Sequence, residues 1–204
     1  MIGLIQYEGE YPMVVCLNFS LERYLRVAGE YFLLDEDHEA ALQMVEKALL
    51  HNATDIRALI LKGDILYCIN ADEAALAVFK KIVKIYPDCV EALISMATIY
   101  EHFGQYRKGL TCCETAFVTV REKNRALLPS LYDQTLSLLV LLNKYSQAKM
   151  LLKEARLELA KNEIDFLESA YKPIILNHLA QRKITQDRRQ QLERPQSVKV
   201  VKLK

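Results

Sequence analysis

Apolar residues recur along this chain at i, i+3 or i+4, and i+7 in short runs, the spacing that lines one face of an α-helix. Leu59, Gly63 and Leu66 lie one turn apart. Asn70, Ala71 and Asp72 interrupt the pattern, and Ala75, Phe79 and Ile82 resume it before Pro87. Proline lacks the amide proton that a helix needs and disfavours helical geometry at the residue before it, so Pro87 marks an end. The segment therefore predicts two helices joined by a turn.

The same pattern returns at an offset of 34 residues. Ala41, Ala75 and Gly109 align, as do Val45, Phe79 and Cys113, and Gly29, Gly63 and Ala97. Leu25, Leu59 and Leu93 make a further column, as do Phe32, Leu66 and Tyr100. After a five-residue insertion, Asn124 to Leu128, a fourth copy carries Tyr132, Leu136, Leu139, Ala148, Leu152 and Ala155 in the corresponding places. The units are 22–55, 56–89, 90–123 and 129–162. Glycine in mid-helix costs about 1 kcal/mol relative to alanine, so Gly29 and Gly63 imply a close approach by a neighbouring helix. The insertion is expected to lengthen a helix or loosen the stack.

Period, small-residue columns, the Gly104-Gln105-Tyr106 turn and Pro87 together resemble the tetratricopeptide repeat over about 140 residues. The resemblance implies an all-α, right-handed α-solenoid of helix-turn-helix repeats whose first helices line a concave face. Departures are His38 where Tyr106 and Tyr145 stand, Ala53 in place of the terminal proline, and Leu136 at a Gly or Ala position.

Residues 163–182 form another amphipathic stretch, with Phe166, Leu167, Tyr171, Ile174, Ile175 and Leu179, read as the helix that caps the array. Pro173 is expected to kink or break it. Residues 183–204 are read as a disordered basic tail. From Arg182 on, eight basic residues face only Asp187 and Glu193. The segment from Arg182 on thus carries +6 and leaves residues 1–181 at −5. Residues 1–21 are an extension with two strand-like runs, GLIQY and MVVCLNF, and Ser20 is a candidate N-cap. Met1 and the ragged basic end are read as those of a complete chain.

Composition agrees with a helical repeat. The chain has 204 residues, with 51% hydrophobic, 26% charged, only 6 Gly and 5 Pro, and a net charge of +1. Loop-rich enzymes and all-β folds use more turn residues. A balanced charge argues against binding nucleic acid or membrane surfaces with the whole body, leaving nucleic acid as a target for the tail alone. Nothing has the length of a membrane span, and the N-terminus lacks the basic start of a signal peptide. The five cysteines, Cys16, Cys68, Cys89, Cys112 and Cys113, show no C-x-x-C spacing and read as reduced thiols of a cytoplasmic protein.

Catalytic chemistry finds no foothold. There is no phosphate-binding glycine loop and no G-x-S-x-G. His38, His51, His102 and His178 are too scattered to chelate a metal, and Asp35-Glu36-Asp37 lacks the spacing of a calcium loop. The reading is a non-catalytic scaffold without cofactor or metal that binds a peptide or helix of another protein.

By resemblance, the inward-facing positions are Arg23, Arg26 and Glu30, then Arg57, Ile60, Asp64 and Tyr67. Glu91, Ile94, Thr98, Glu101 and His102 follow, then Ser130, Asp133 and Ser137. The arginines would attract acidic groups; Ile60, Ile94 and Tyr67 would give apolar contact. Some proteins of this family hold the C-terminal tails of chaperones in a clamp of Lys, Arg and Asn. The matching places here are Arg26, Glu30, Leu61, Glu91 and Ser95, and two of them would repel the carboxylates, so that partner is excluded. Two alternatives remain. The basic tail is the binding element for an acidic partner or nucleic acid, or the array is a structural subunit that associates with itself.

Overall fold

The computed structural model describes residues 21–34, 37–123 and 125–193. The strand-like N-terminal runs with Cys16 and Ser20, the acidic pair Asp35-Glu36, Asn124, and the basic residues from Arg194 onward lie outside the described residues. Among those described, all regular structure is helical. Four helix pairs follow one another: α1 (Leu21–Leu34) and α2 (His38–His51); α3 (Ile56–Cys68) and α4 (Asp72–Ile85); α5 (Val90–His102) and α6 (Tyr106–Lys123); α7 (Leu128–Leu141) and α8 (Tyr145–Glu158). A long helix, α9 (Lys161–Glu193), completes the order.

Local chemistry sets the ends. Asp37 and Asp55 cap α2 and α3 by accepting hydrogen bonds from the amides of Ala40 (3.1 Å) and Ala58 (2.9 Å). The turn inside each later pair uses one left-handed residue at the same place in the repeat: Asn70 (φ 59°), Gly104 (φ 67°) and Asn143 (φ 58°). Glycine and asparagine are the residues that tolerate this conformation at a helix end. The insertion after the third pair extends α6 to 18 residues, against 14 for α2, α4 and α8, and continues in a short 3-10 turn, Arg125–Leu127.

The chain divides into two compact units, residues 1–69 and 70–204. In the first, α1 packs on α2 and α3, and α2 packs on α3. Ala41, Val45, Ala58, Leu61 and Ile65 form its core. Gly29 marks a close approach of α1 and α2: a Cβ there would lie 2.6 Å from Val45 Cγ2. In the second unit, α4, α5, α6, α7, α8 and α9 pack serially, and the first helices also touch one another, α5 on α7 and α7 on α9. Its core runs through Leu93, Ala97, Cys113, Ala116, Leu131, Tyr132, Leu136, Ala148, Leu152 and Leu167. The small column recurs in it: a Cβ on Gly109 would lie 3.1 Å from the Ala97 carbonyl oxygen and 3.2 Å from Leu138.

The break offered at Pro173 and the helix end at residue 182 are corrected. Pro173 lies inside α9 without ending it, and the helix runs on beyond residue 182 to Glu193. A proline in a helix interior costs about 3 kcal/mol. Ile164 and Leu167 before it, and Ile175 after it, are buried in the unit's core, each worth about 1.5–3 kcal/mol. Burial on both sides of Pro173 therefore outweighs the local penalty.

Candidate functional site

The first helices α3 and α5 carry most of the predicted binding positions. On α3, Arg57, Ile60, Asp64 and Tyr67 follow one another at three- and four-residue spacing along one face. Arg57 is exposed; Ile60, Asp64 and Tyr67 are half-buried. Arg57 and Asp64 make no hydrogen bond or ion pair among the described residues. Burial without a partner pushes the Asp64 carboxyl up from 3.8 to about 6, because a desolvated carboxylate is disfavoured as a charge.

Arg26 departs from its expected role. It is buried, 5% exposed, and its guanidinium donates to Glu30 at 2.7 Å, one turn along α1. A buried guanidinium needs a charged acceptor, and Glu30 supplies it. Arg26 is thus held within the first unit rather than presented to an acidic ligand. Arg23 is exposed on the same helix.

In the second unit the candidate residues are joined to one another. Thr98 Oγ1 lies 3.2 Å from the Ile94 carbonyl oxygen and 3.1 Å from Gln134 Oε1, and donates to one of them. Glu101 accepts through both oxygens: from Gln134 Nε2 at 2.5 Å and from Ser137 Oγ at 2.8 Å. The Tyr171 hydroxyl of α9 donates to Asp133 Oδ1 at 2.7 Å. Burial beside Asp133 pushes the Tyr171 hydroxyl's pKa well up, so it stays a donor. His102 is exposed with its Nδ1 3.6 Å from Asp72 Oδ2, an ion pair when the ring is protonated. Ile94 is half-buried. The face built by α5, α7 and α9 is therefore tied together by hydrogen bonds from helix to helix.

Gln134 and Tyr171 are the residues that sequence reading did not place here. The signal for Tyr171 was the period itself. Glu30, Asp64, Thr98, Ser137 and Tyr171 stand at one position of successive first helices, so α9 begins as the first helix of a fifth unit. Glu30, Thr98, Ser137 and Tyr171 each bond a neighbouring residue of the chain, and Asp64 does not.

No group of three or more His, Cys, Asp or Glu side chains among the described residues is placed to hold a metal ion. Among them, too, no helix is long and apolar enough to cross a membrane. Burial raises the pKa of the Cys89 and Cys112 thiols and takes that of Cys113 to about 12, away from the depressed range of reactive thiols.

No protein-family model matches the chain, and no curated protein matches it by sequence. Solved structures do. A thermophilic TPR protein of Thermus thermophilus, TTC0263, superposes with a TM-score of 0.59 at 21% identity, covering 77% of this chain and 82% of its own. A MamA RS-1 double mutant gives 0.59 at 15% identity, over 83% and 98%. The TPR2B domain in the TPR2B–pHsp70 complex of yeast Sti1 gives 0.55 at 18% identity, over 57% and 94%.

Proposed function

We propose, from the premise that this chain has the tetratricopeptide-repeat fold, that it is a non-catalytic, cytoplasmic interaction scaffold and that the α3 face of its first unit takes a peptide or helix of a partner protein. The observation that carries the reading is Asp64. It is half-buried, its charge is disfavoured, and it has no partner where the equivalent residues of the other repeats have one. A ligand that brings a lysine or arginine to it relieves that penalty, which makes the contact selective. Ile60 and Tyr67, one turn to either side, supply apolar contact. Arg57, further along, favours an acidic residue in the ligand about two turns from its cation.

This chemistry differs from the clamp that holds carboxylate tails. The one cation at a matching position, Arg26, is already held by Glu30, and Asp64 repels acidic groups. The preferred ligand is therefore a segment with a central basic residue flanked by apolar ones. The polar strap of Glu101, Gln134 and Ser137 supports α5 and α7 rather than meeting the ligand.

Selection of a random displayed-peptide library on the full-length protein tests the reading. The wild type should enrich Lys- or Arg-containing peptides with flanking apolar residues. Asp64→Asn and Tyr67→Ala should each lower binding of the enriched peptides by about tenfold, the equivalent of one charge-assisted hydrogen bond or one buried aromatic contact. Equal binding by wild type and Asp64→Asn excludes the α3 face as the site.

A further inference from the structure

We infer that Lys80, Tyr100 and Lys108 form a binding site for a phosphate monoester in the second unit. α4, α5 and α6 contribute one residue each. The site is separate from the α3 face and stands without the peptide reading.

Tyr100 carries the first observation. It occupies the column of Phe32 and Leu66, and only 8% of it is exposed. A phenylalanine or leucine serves for packing alone. A buried tyrosine hydroxyl ordinarily finds a partner: Tyr145 donates to Asn143 at 3.0 Å and Tyr171 to Asp133 at 2.7 Å. The Tyr100 hydroxyl makes no hydrogen bond among the described residues. A nearly buried donor is left unused, which is costly unless something outside the chain accepts from it.

Two cations meet at the same ring. Lys80 Nζ lies 5.9 Å and Lys108 Nζ 5.7 Å from its centroid, within reach of a cation–π contact. Cys112 stands one turn beyond Lys108 on the same face of α6. Burial raises the pKa of its thiol, and the charge of Lys80 opposes that rise. Lys80 therefore leans from α4 toward the face of α6 that carries Lys108. Both lysines are exposed, and neither has an ion pair among the described residues. Lys108 donates to the neutral Gln105 Oε1 at 2.8 Å.

The place of Lys108 in its helix concentrates the charge further. The free amides of a first turn favour acidic side chains and disfavour cations. α4 follows this rule with Asp72 and Glu73, whereas α6 opens with Arg107 and Lys108 and has no acidic residue in its first turn. An anion bound beside Lys108 relieves that conflict.

The ligand follows from the donors. Two ammonium groups and one phenol suit a divalent anion with three acceptor oxygens. A phosphate monoester has those oxygens and a charge of about −1.5 to −2 at neutral pH. A carboxylate has one charge and two oxygens. Lysine places a compact charge on a flexible stem, so both ammonium groups can close on the ligand in charge-assisted hydrogen bonds. The same chemistry recognises a free phosphate and a phosphorylated side chain.

Isothermal titration calorimetry of the full-length protein at low salt tests the site. The probes are inorganic phosphate, acetate, and an otherwise neutral peptide carrying one phosphoserine. The wild type should bind phosphate or the phosphopeptide at least about tenfold more tightly than acetate. Lys80→Gln and Lys108→Gln should each weaken that binding about tenfold. Tyr100→Phe, which keeps the ring, should weaken it severalfold with the helical circular dichroism unchanged. Either order of the two phosphate probes supports the site: tighter phosphopeptide binding assigns the group to a partner protein, and tighter phosphate binding to a free ligand. No binding of either probe overturns the inference. So does acetate bound as tightly as phosphate, or binding indifferent to all three substitutions.

Discussion

Ser137 and Glu101 are joined from α7 to α5 by a hydrogen bond of 2.8 Å, while the other Glu101 oxygen accepts from Gln134 on the same helix, α7. A carboxylate with both oxygens occupied by its own chain is a strap, and this determines what its removal should do. Glu101→Ala deprives two half-buried α7 side chains of their acceptor. The expected loss is about 1–3 kcal/mol of stability, read from urea denaturation. Affinity for peptides selected on the α3 face should not change. A variant as stable as the wild type would show that water replaces the carboxylate without cost.

Asp64 should behave in the opposite way. Its folded pKa, about 6, stands above the unfolded value of 3.8. The folded state therefore holds the proton more tightly, and the associated stability is complete below about pH 4 and lost as pH rises through about 6. At pH 7 the ionised group is a liability. Asp64→Asn should then stabilise the protein by roughly 1–2 kcal/mol, less than the full shift implies because the site keeps some solvent contact. At pH 4 the variant and the wild type should be equally stable. The same advantage at both pH values would place the cause outside ionisation.

The glycine columns make a packing prediction. Gly109 faces the Ala97 carbonyl, a backbone atom that cannot move aside, and Leu138 beyond it. Gly109→Ala gains about 1 kcal/mol of helix propensity and incurs overpacking of about 1–3 kcal/mol, so a net loss of about 1 kcal/mol is expected. Gly29→Ala should lose at least as much, since its Cβ would fall 2.6 Å from the buried Val45. Thermal melts of the two variants decide the sign; a raised melting temperature in either would mean that the helices separate freely.

Thiol reactivity separates the cysteines. Cys68 is exposed, whereas Cys89 and Cys113 are buried and Cys112 is half-buried with its pKa raised. In a Cys16→Ser background, a chromogenic disulfide reagent at pH 8 should react quickly with one thiol per chain, and Cys68→Ser should abolish that phase. The others should follow only as the protein unfolds. Rapid reaction of two thiols would point to an opening of the α6 region on the native side of unfolding.

The helices were legible because their determinants are local. The columns Ala41/Ala75/Gly109 and Gly29/Gly63/Ala97 fix which helix faces meet, and Asn70 and Gly104 mark turns whatever the rest of the chain does. The groove was legible as a face and not as a set of roles. The column that contains Glu30, Asp64, Thr98 and Ser137 says only that a polar group stands there. Whether it is free depends on residues one turn or one repeat away, such as Arg26 for Glu30 and Gln134 for Thr98. The end of α9 is misread separately: the basic residues from Arg182 on read as a tail, whereas the helix continues to Glu193. Pro173, which reads as a kink or break, is a strong local signal, but it is set against the burial of Ile164, Leu167 and Ile175 on either side of it, which composition does not display.

That competition can be measured. Pro173 is exposed within α9, so its side chain contributes nothing to the core, while its ring removes one backbone hydrogen bond and crowds the carbonyl four residues earlier. Pro173→Ala should restore the bond and raise stability by about 1–3 kcal/mol, with added helical circular dichroism. Leu167→Ala should destabilise by about 2–5 kcal/mol, as for any fully buried leucine. Together the two substitutions should come close to cancelling if their effects add, since each acts on α9 through different contacts. An unchanged melt for Pro173→Ala would mean that α9 pays no local penalty at this position, and the account given for its continuity would then fail.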